Sequence, residues 1–307
     1  MIISKNIQSI LSLVVVALIL SSCGDSRKSK IQKETEAEIY AQAEKQLIEE
    51  IDKVVHDMPP PSEVPYLLMA TGADFNKELI NPIDNASKYF NSADKSAMNL
   101  GAYASDIGYL SSYDQVQDAL KYMEACQKLA DQIGIASAFE LDLMEKFEKN
   151  LANKDSLASL IDYAMEVAEQ KLEATDRLQM VALVLSGSYI EGLYLSCMVL
   201  ETYPDDLLPE EQKNIILEPM VRVIIDQEKP LEDIITLLKD LEGDDTIAEV
   251  IAEFDILKIL YREDLKDIKE RIHNADPTLK LDKHLLADII LEIQRIRGEM
   301  VGDIAAK

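Results

Sequence analysis

Met180-Val-Ala-Leu-Val-Leu-Ser-Gly-Ser-Tyr-Ile-Glu-Gly-Leu-Tyr-Leu-Ser-Cys-Met-Val-Leu200 runs for 21 residues with a single charge, Glu191. On length alone such a segment spans a bilayer, which takes ~20 apolar residues. Yet Ser186, Ser188, Ser196, two glycines and Glu191 lower its hydrophobicity, and acidic amphipathic stretches surround it. It therefore reads as the central buried helix of an all-α protein. Ser188, Gly192 and Ser196 recur at i, i+4 and i+8, a stripe of small residues that lets a neighbouring backbone approach. Ala97, Gly101 and Ser105, with Ala104 and Gly108, make a comparable stripe on a helix expected over 93–111. These two helices are expected to pack against one another.

Outward from this pair, the spacing of apolar residues stays helical. It predicts helices near 84–90, 93–111, 114–133, 137–150, 155–173, 176–202, 209–227, 231–241, 245–262, 264–273 and 282–301. Asp114 and Asp176 stand where N-caps are wanted. Pro209 and Pro230 precede acidic residues, as in a first helical turn, and Gly134 and Gly243 suit helix C-termini. Pro219 lies inside a helical pattern and is expected to kink it. No stretch alternates with period two between turn residues, so no sheet is expected. Leu100-Gly101 with Tyr103 matches only a fragment of a tetratricopeptide pattern, which does not recur. The fold expected is an irregular multi-helix bundle, with solenoid-like helical hairpins as the alternative.

Composition excludes several functions. Against 31 basic side chains stand 57 acidic ones, a net charge of −26 over 307 residues. Nothing in that balance neutralises phosphates, so nucleic acid is not an expected partner. The three cysteines divide in function. Ile10 to Leu20 is an apolar run too short to span a bilayer and of the length of a secretory core, followed by Leu20-Ser21-Ser22-Cys23-Gly24. That sequence resembles the bacterial lipobox, which implies cleavage before Cys23, diacylation of its sulfur and further N-acylation, palmitate-like chains anchoring the protein to a membrane. Two or three such chains hold a protein stably where one does not. Gly24, in place of Asp, favours the outer membrane by the sorting rule of enterobacterial lipoproteins. Cys126 and Cys197 sit inside apolar helical stretches and read as buried free thiols.

The chain then divides into a signal peptide (1–22), a polar tether (23–30), an amphipathic helix (31–57), a Pro-rich linker (58–65) and a helical bundle domain (66–307). Ile31, Thr35, Ile39, Ala43, Leu47, Ile51 and Val55 form the apolar face of the amphipathic helix, and Pro59, Pro60 and Pro61 stop it.

Catalytic signatures are missing: no G-x-G-x-x-G, Walker A loop, H-E-x-x-H, C-x-x-C, EF-hand loop or G-x-S-x-G occurs. Glu270-Arg-Ile-His273 matches one Glu-x-x-His unit of di-iron bundles, which need two, and His284 with Asp288 makes half a metal site at most. No catalytic residue, metal ligand or cofactor is assigned. Asp106 and Glu191, each the lone charge in a long uncharged helical stretch, are the candidate ligand-binding residues, with Tyr103 and Tyr109 beside Asp106 and Tyr194 near Glu191. A buried carboxylate must be paired, hydrogen-bonded or protonated, and a tyrosine-lined acid suits a cation or polar ligand. The competing reading is an acid satisfied structurally by a tyrosine hydroxyl or an arginine such as Arg177.

Asn99-Leu-Gly-Ala-Tyr-Ala-Ser-Asp-Ile-Gly-Tyr109, Leu129-Ala-Asp-Gln-Ile-Gly-Ile135 and Gly187-Ser-Tyr-Ile-Glu-Gly-Leu-Tyr194, together with the lipobox, resemble all-helical lipoproteins of Bacteroidota. The resemblance covers about residues 65–200. It implies export and a helical fold, but no activity. The function expected is that of a membrane-anchored, periplasm-facing interaction or ligand-binding module whose protein or small-molecule partner stays open. The alternatives are a carboxylate-dependent enzyme or metal binder and a structural envelope spacer.

Overall fold

The computed structural model describes residues 72–135, 177–204, 209–241, 245–274 and 283–302, with scattered positions elsewhere, chiefly between 42 and 56. Residues 1–22, Cys23, the tether, the Pro-rich linker, Asp176 and Gly243 lie outside them, as does much of the helices expected over 31–57, 137–150 and 155–173. Residues 45–51 are helical, and Ile51 and Val54 are buried.

Among the described residues there is no strand, and the architecture is an all-α bundle. The helices are α1 (Ala86–Tyr89), α2 (Ala93–Ser112), α3 (Val116–Gln132), α4 (Leu178–Thr202), α5 (Glu210–Asp226), α6 (Glu228–Asp240), α7 (Asp245–Glu263), α8 (Lys266–His273) and α9 (Ala287–Val301). Ser92 caps α2, its Oγ accepting the Lys95 amide at 3.4 Å. Gly134, at φ +77°, closes α3, with the Ile135 amide reaching back to the Ala130 carbonyl at 2.9 Å.

Asp114 is not the N-cap expected of it. It takes φ 58° in the turn after α2, and Gln115 holds the cap position of α3. The reversal between these two helices is tight enough to need one left-handed residue, a conformation that Asp tolerates better than most side chains. Pro230 falls in the first turn of α6. It has no N–H for the Asp226 carbonyl, and its ring crowds that carbonyl, so the chain must break between α5 and α6 at Gln227.

α4 is the hub, 25 residues long, with α2, α5, α6, α7 and α9 packed around it. Its most apolar 18-residue window has a mean hydropathy of 1.5, which would suit a membrane, but 89% of that window is buried inside the bundle. A helix this apolar must be covered over most of its surface, and here the neighbouring helices cover all but a strip that includes Gly192 and Tyr194.

The closest approach is between α2 and α4. A Cβ on Gly101 would lie 2.7 Å from the Ser188 nitrogen and nearer still to the Val184 carbonyl, and one on Gly187 would lie 2.6 Å from the Met98 carbonyl carbon. Ser105 Oγ donates to the Ser188 carbonyl at 3.2 Å. The expected pairing of these helices is therefore present, but its register on α4 differs from the Ser188–Gly192–Ser196 stripe. The contact runs through Val184, Gly187 and Ser188, while a Cβ on Gly192 would meet nothing within 4 Å. Two straight helices touch closely over only part of their length, so an extended stripe is used only near the crossing.

Candidate functional site

Where α2, α4 and α9 converge, the interior holds charge. Asp106 on α2 and Glu191 on α4 are both fully buried, and Arg297 on α9 is 5% exposed. Arg297 grips Glu191 with two hydrogen bonds, Nε to Oε2 and Nη2 to Oε1, each 3.1 Å. A forked pair of this kind is both directional and roughly twice as strong as a neutral hydrogen bond. The guanidinium also lies 4.5 Å above the Tyr194 ring, which faces it with electron-rich π density.

Asp106 joins this pair through Glu191, to which its carboxyl hydrogen-bonds. Its Oδ2 accepts the Asn81 amide N–H at 3.2 Å, while no N–H or hydroxyl donor reaches Oδ1. Burial first, and then the charge of neighbouring Glu191, raise the Asp106 pKa well above the usual carboxyl range. One guanidinium neutralises one carboxylate, so a second buried charge would stand uncompensated. Asp106 therefore holds its proton to higher pH than a free carboxyl does, hydrogen-bonded to Glu191. Burial alone would lower the Arg297 pKa, but the Glu191 charge and hydrogen bonds hold it above the ordinary range.

A polar collar surrounds this centre. Asn81, itself fully buried, donates through Nδ2 to Tyr89 Oη and to Asn99 Oδ1, each at 3.1 Å, and its carbonyl accepts from Tyr122 Oη at 2.7 Å. Tyr103 Oη donates to the Pro82 carbonyl at 3.1 Å, and its ring meets Tyr122 edge-on at 5.1 Å. Tyr89 Oη reaches the Val301 carbonyl at 3.0 Å. Burial pushes the Tyr103 and Tyr122 hydroxyls above their ordinary pKa, which keeps them as donors.

The structure thus brings together Asp106, Glu191 and Tyr194, with Tyr103 in the collar. Tyr109 stands apart. Its hydroxyl accepts the Asn76 amide at 3.1 Å, and its ring packs with Phe75 and Tyr113 at 5.5 and 4.9 Å. Arg177 is not the partner of either acid, because it donates from Nη1 to the Ile133 carbonyl at the end of α3. Lys, Arg and His at such ends suit the exposed carbonyls and the helix dipole.

Arg297 is the residue that sequence reasoning missed. A signal for it existed: Ile289, Ile290, Ile293, Ile296 and Val301 are the buried face of α9, and Arg297 falls four residues after Ile293 on that face. A cation on an apolar stripe demands a buried acid. Cys126 and Cys197 are buried free thiols, their pKa values raised by burial. Among the described residues no three His, Cys, Asp or Glu side chains converge as metal ligands would.

No family model, curated protein or solved structure matches the chain. The site is therefore read from its own geometry. It is a charge-balanced, solvent-sealed cluster that ties α9 to the α2–α4 pair, and a ligand reaches it only if these helices part.

Proposed function

We propose that the chain is an acyl-anchored envelope lipoprotein whose helical body faces the periplasm and works as a non-catalytic binding module. The anchor is Cys23, the membrane the outer one by the identity of Gly24, and the support for it is the order Leu20-Ser21-Ser22-Cys23 after an 11-residue apolar run. For the body, the observation that carries the reading is the sealed state of Asp106 and Glu191, both without solvent exposure and balanced by Arg297. An acid that acts on a substrate must reach it, and these acids reach one another and an arginine instead.

One observation favours the alternative, carboxyl chemistry at this pair: burial and the neighbouring Glu191 charge raise the Asp106 pKa, the direction in which a general acid is tuned. Two experiments separate the readings. Labelling with a palmitate analogue should mark the wild-type chain at mature size and lose the mark in Cys23→Ser; an acylated, mature-size Cys23→Ser chain in the membrane fraction would refute the anchor. A screen of the purified chain for hydrolytic and metal-dependent turnover should find none, and turnover abolished by Glu191→Gln or Asp106→Asn would replace the binding module with an enzyme.

A further inference from the structure

A cavity of ≈ 360 Å³ opens where α5, α6 and α8 meet, built from residues that take no part in the buried charge cluster. Its size is at the small end of ligand sites, about 300–1,000 Å³. The corner that Pro230 imposes exposes the last turn of α5 here, with Arg222, Ile225 and Asp226 facing Lys269, Ile272 and His273 of α8.

The lining has unused bonding capacity of both signs. Lys269 Nζ donates to Glu228 Oε2 at 2.6 Å and to the Tyr261 carbonyl at 2.8 Å, which leaves one of three ammonium protons. Arg222 gives Nε and Nη2 to Glu218 at 3.0 and 2.7 Å, and among the described residues nothing accepts from Nη1. Asp226 pairs with no cation among the described residues. Between these groups lie the aliphatic side chains of Ile225, which is buried, and Ile272, which is half-buried.

We propose that this cleft binds a small zwitterion with an aliphatic body, of the free amino-acid class, its carboxylate on Arg222 and Lys269 and its ammonium on Asp226. A dianion would face Asp226 and Glu228, and a simple cation would face Arg222, Lys229 and Lys269, so a ligand carrying one charge of each sign is the one that finds an opposite charge for both its ends. Ile225 and Ile272 take the aliphatic part, as apolar lining does in small-molecule sites.

The assignment rests on the binding-module reading and names its ligand class. Calorimetric titration of the full-length chain in detergent with L-leucine, 4-methylpentanoate and 3-methylbutylamine tests it, since the last two are leucine without its ammonium and without its carboxylate. Leucine should bind, and each half-analogue should bind at least about tenfold more weakly. Arg222→Gln and Asp226→Asn should each weaken leucine by a similar factor while leaving the urea midpoint unchanged, because both side chains are exposed. A half-analogue that binds as well as leucine, or leucine binding that survives both variants, overturns the assignment. If no probe binds, the ligand class falls, whereas the anchored module stands or falls separately on acylation of Cys23.

Discussion

Two residues apart on α9, Arg295 bridges Glu253, Glu292 and Glu299 at the surface while Arg297 grips Glu191 in the interior. Arg295 has more partners, including Glu292 at 2.6 Å, yet its side chain is 38% exposed against 6% for Arg297. Water and salt screen the outer cluster, and the long side chains that form it lose freedom in doing so. Inside, the same type of bond is unscreened, and removing one partner strands the other in a medium that cannot solvate it. Burial, and not the number of partners, sets what each arginine contributes.

The largest expected effect is at the inner arginine. Arg297→Met should lower stability by about 3–5 kcal/mol in urea titration at neutral pH, because it leaves Glu191 buried and unpaired. Combining it with Glu191→Leu should recover most of that loss, since a well-packed apolar pair often matches a buried ion pair. A double variant as unstable as the single one would show that the pair contributes more than mutual compensation.

Next in size is the interior packing beside the pair. Gly187→Ala should cost about 1–3 kcal/mol or more, because its methyl would press on the Met98 carbonyl. Gly192→Ala, five residues along the same helix and with open space before it, should instead stabilise by up to ~1 kcal/mol through helix propensity. Equal effects at the two glycines would break the distinction between sealed and open faces of α4.

Asp106 sharpens the comparison through pH. In the folded chain burial and then Glu191 raise its pKa, whereas in the unfolded chain it titrates near ~3.9. Folding therefore takes up a proton. The stability that this group contributes is fully present below ~3.9 and is lost as pH rises toward its folded-state value, with the folding constant falling up to about tenfold per pH unit. Asp106→Asn keeps a carbonyl for the Asn81 amide and offers an N–H to Glu191 without titrating. Its stability relative to the wild type should grow with pH across that window, and a constant difference would mean that Asp106 is ionised in the folded protein. The smallest effect belongs to the surface: Arg295→Met should cost no more than about 1 kcal/mol and less in high salt.

Local spacing made much of this arrangement readable in advance. Small residues at helical intervals announced the α2–α4 contact, and a lone acid in an apolar helix announced each member of the carboxyl pair. What spacing does not carry is which distant segment supplies the answering charge. Arg297 lies 106 residues from Glu191, and Arg177, nearer in sequence, was the wrong arginine. Gly192 failed for a related reason, because a stripe shows where helices can approach and not where they cross. Asp114 is a common cap residue, but the tight reversal after α2 required its left-handed backbone instead. The cleft beside Pro230 combines three helices, and only the proline's place in a first helical turn was visible beforehand.

The position of Arg297 in chain order also bears on when the body can close. Chains emerge and begin to fold from the N-terminus, so α2 and α4 become available with two interior acids before the buried cation that pairs with them. The Arg297 bonds and the Tyr89 contact with the Val301 carbonyl, 212 residues apart, form only once α9 has arrived. Closing such long loops is entropically slow, and premature compaction would bury carboxylates that still need water. A body that completes its interior with its last described helix stays loosely packed until α9 arrives, and it sets firmly only then.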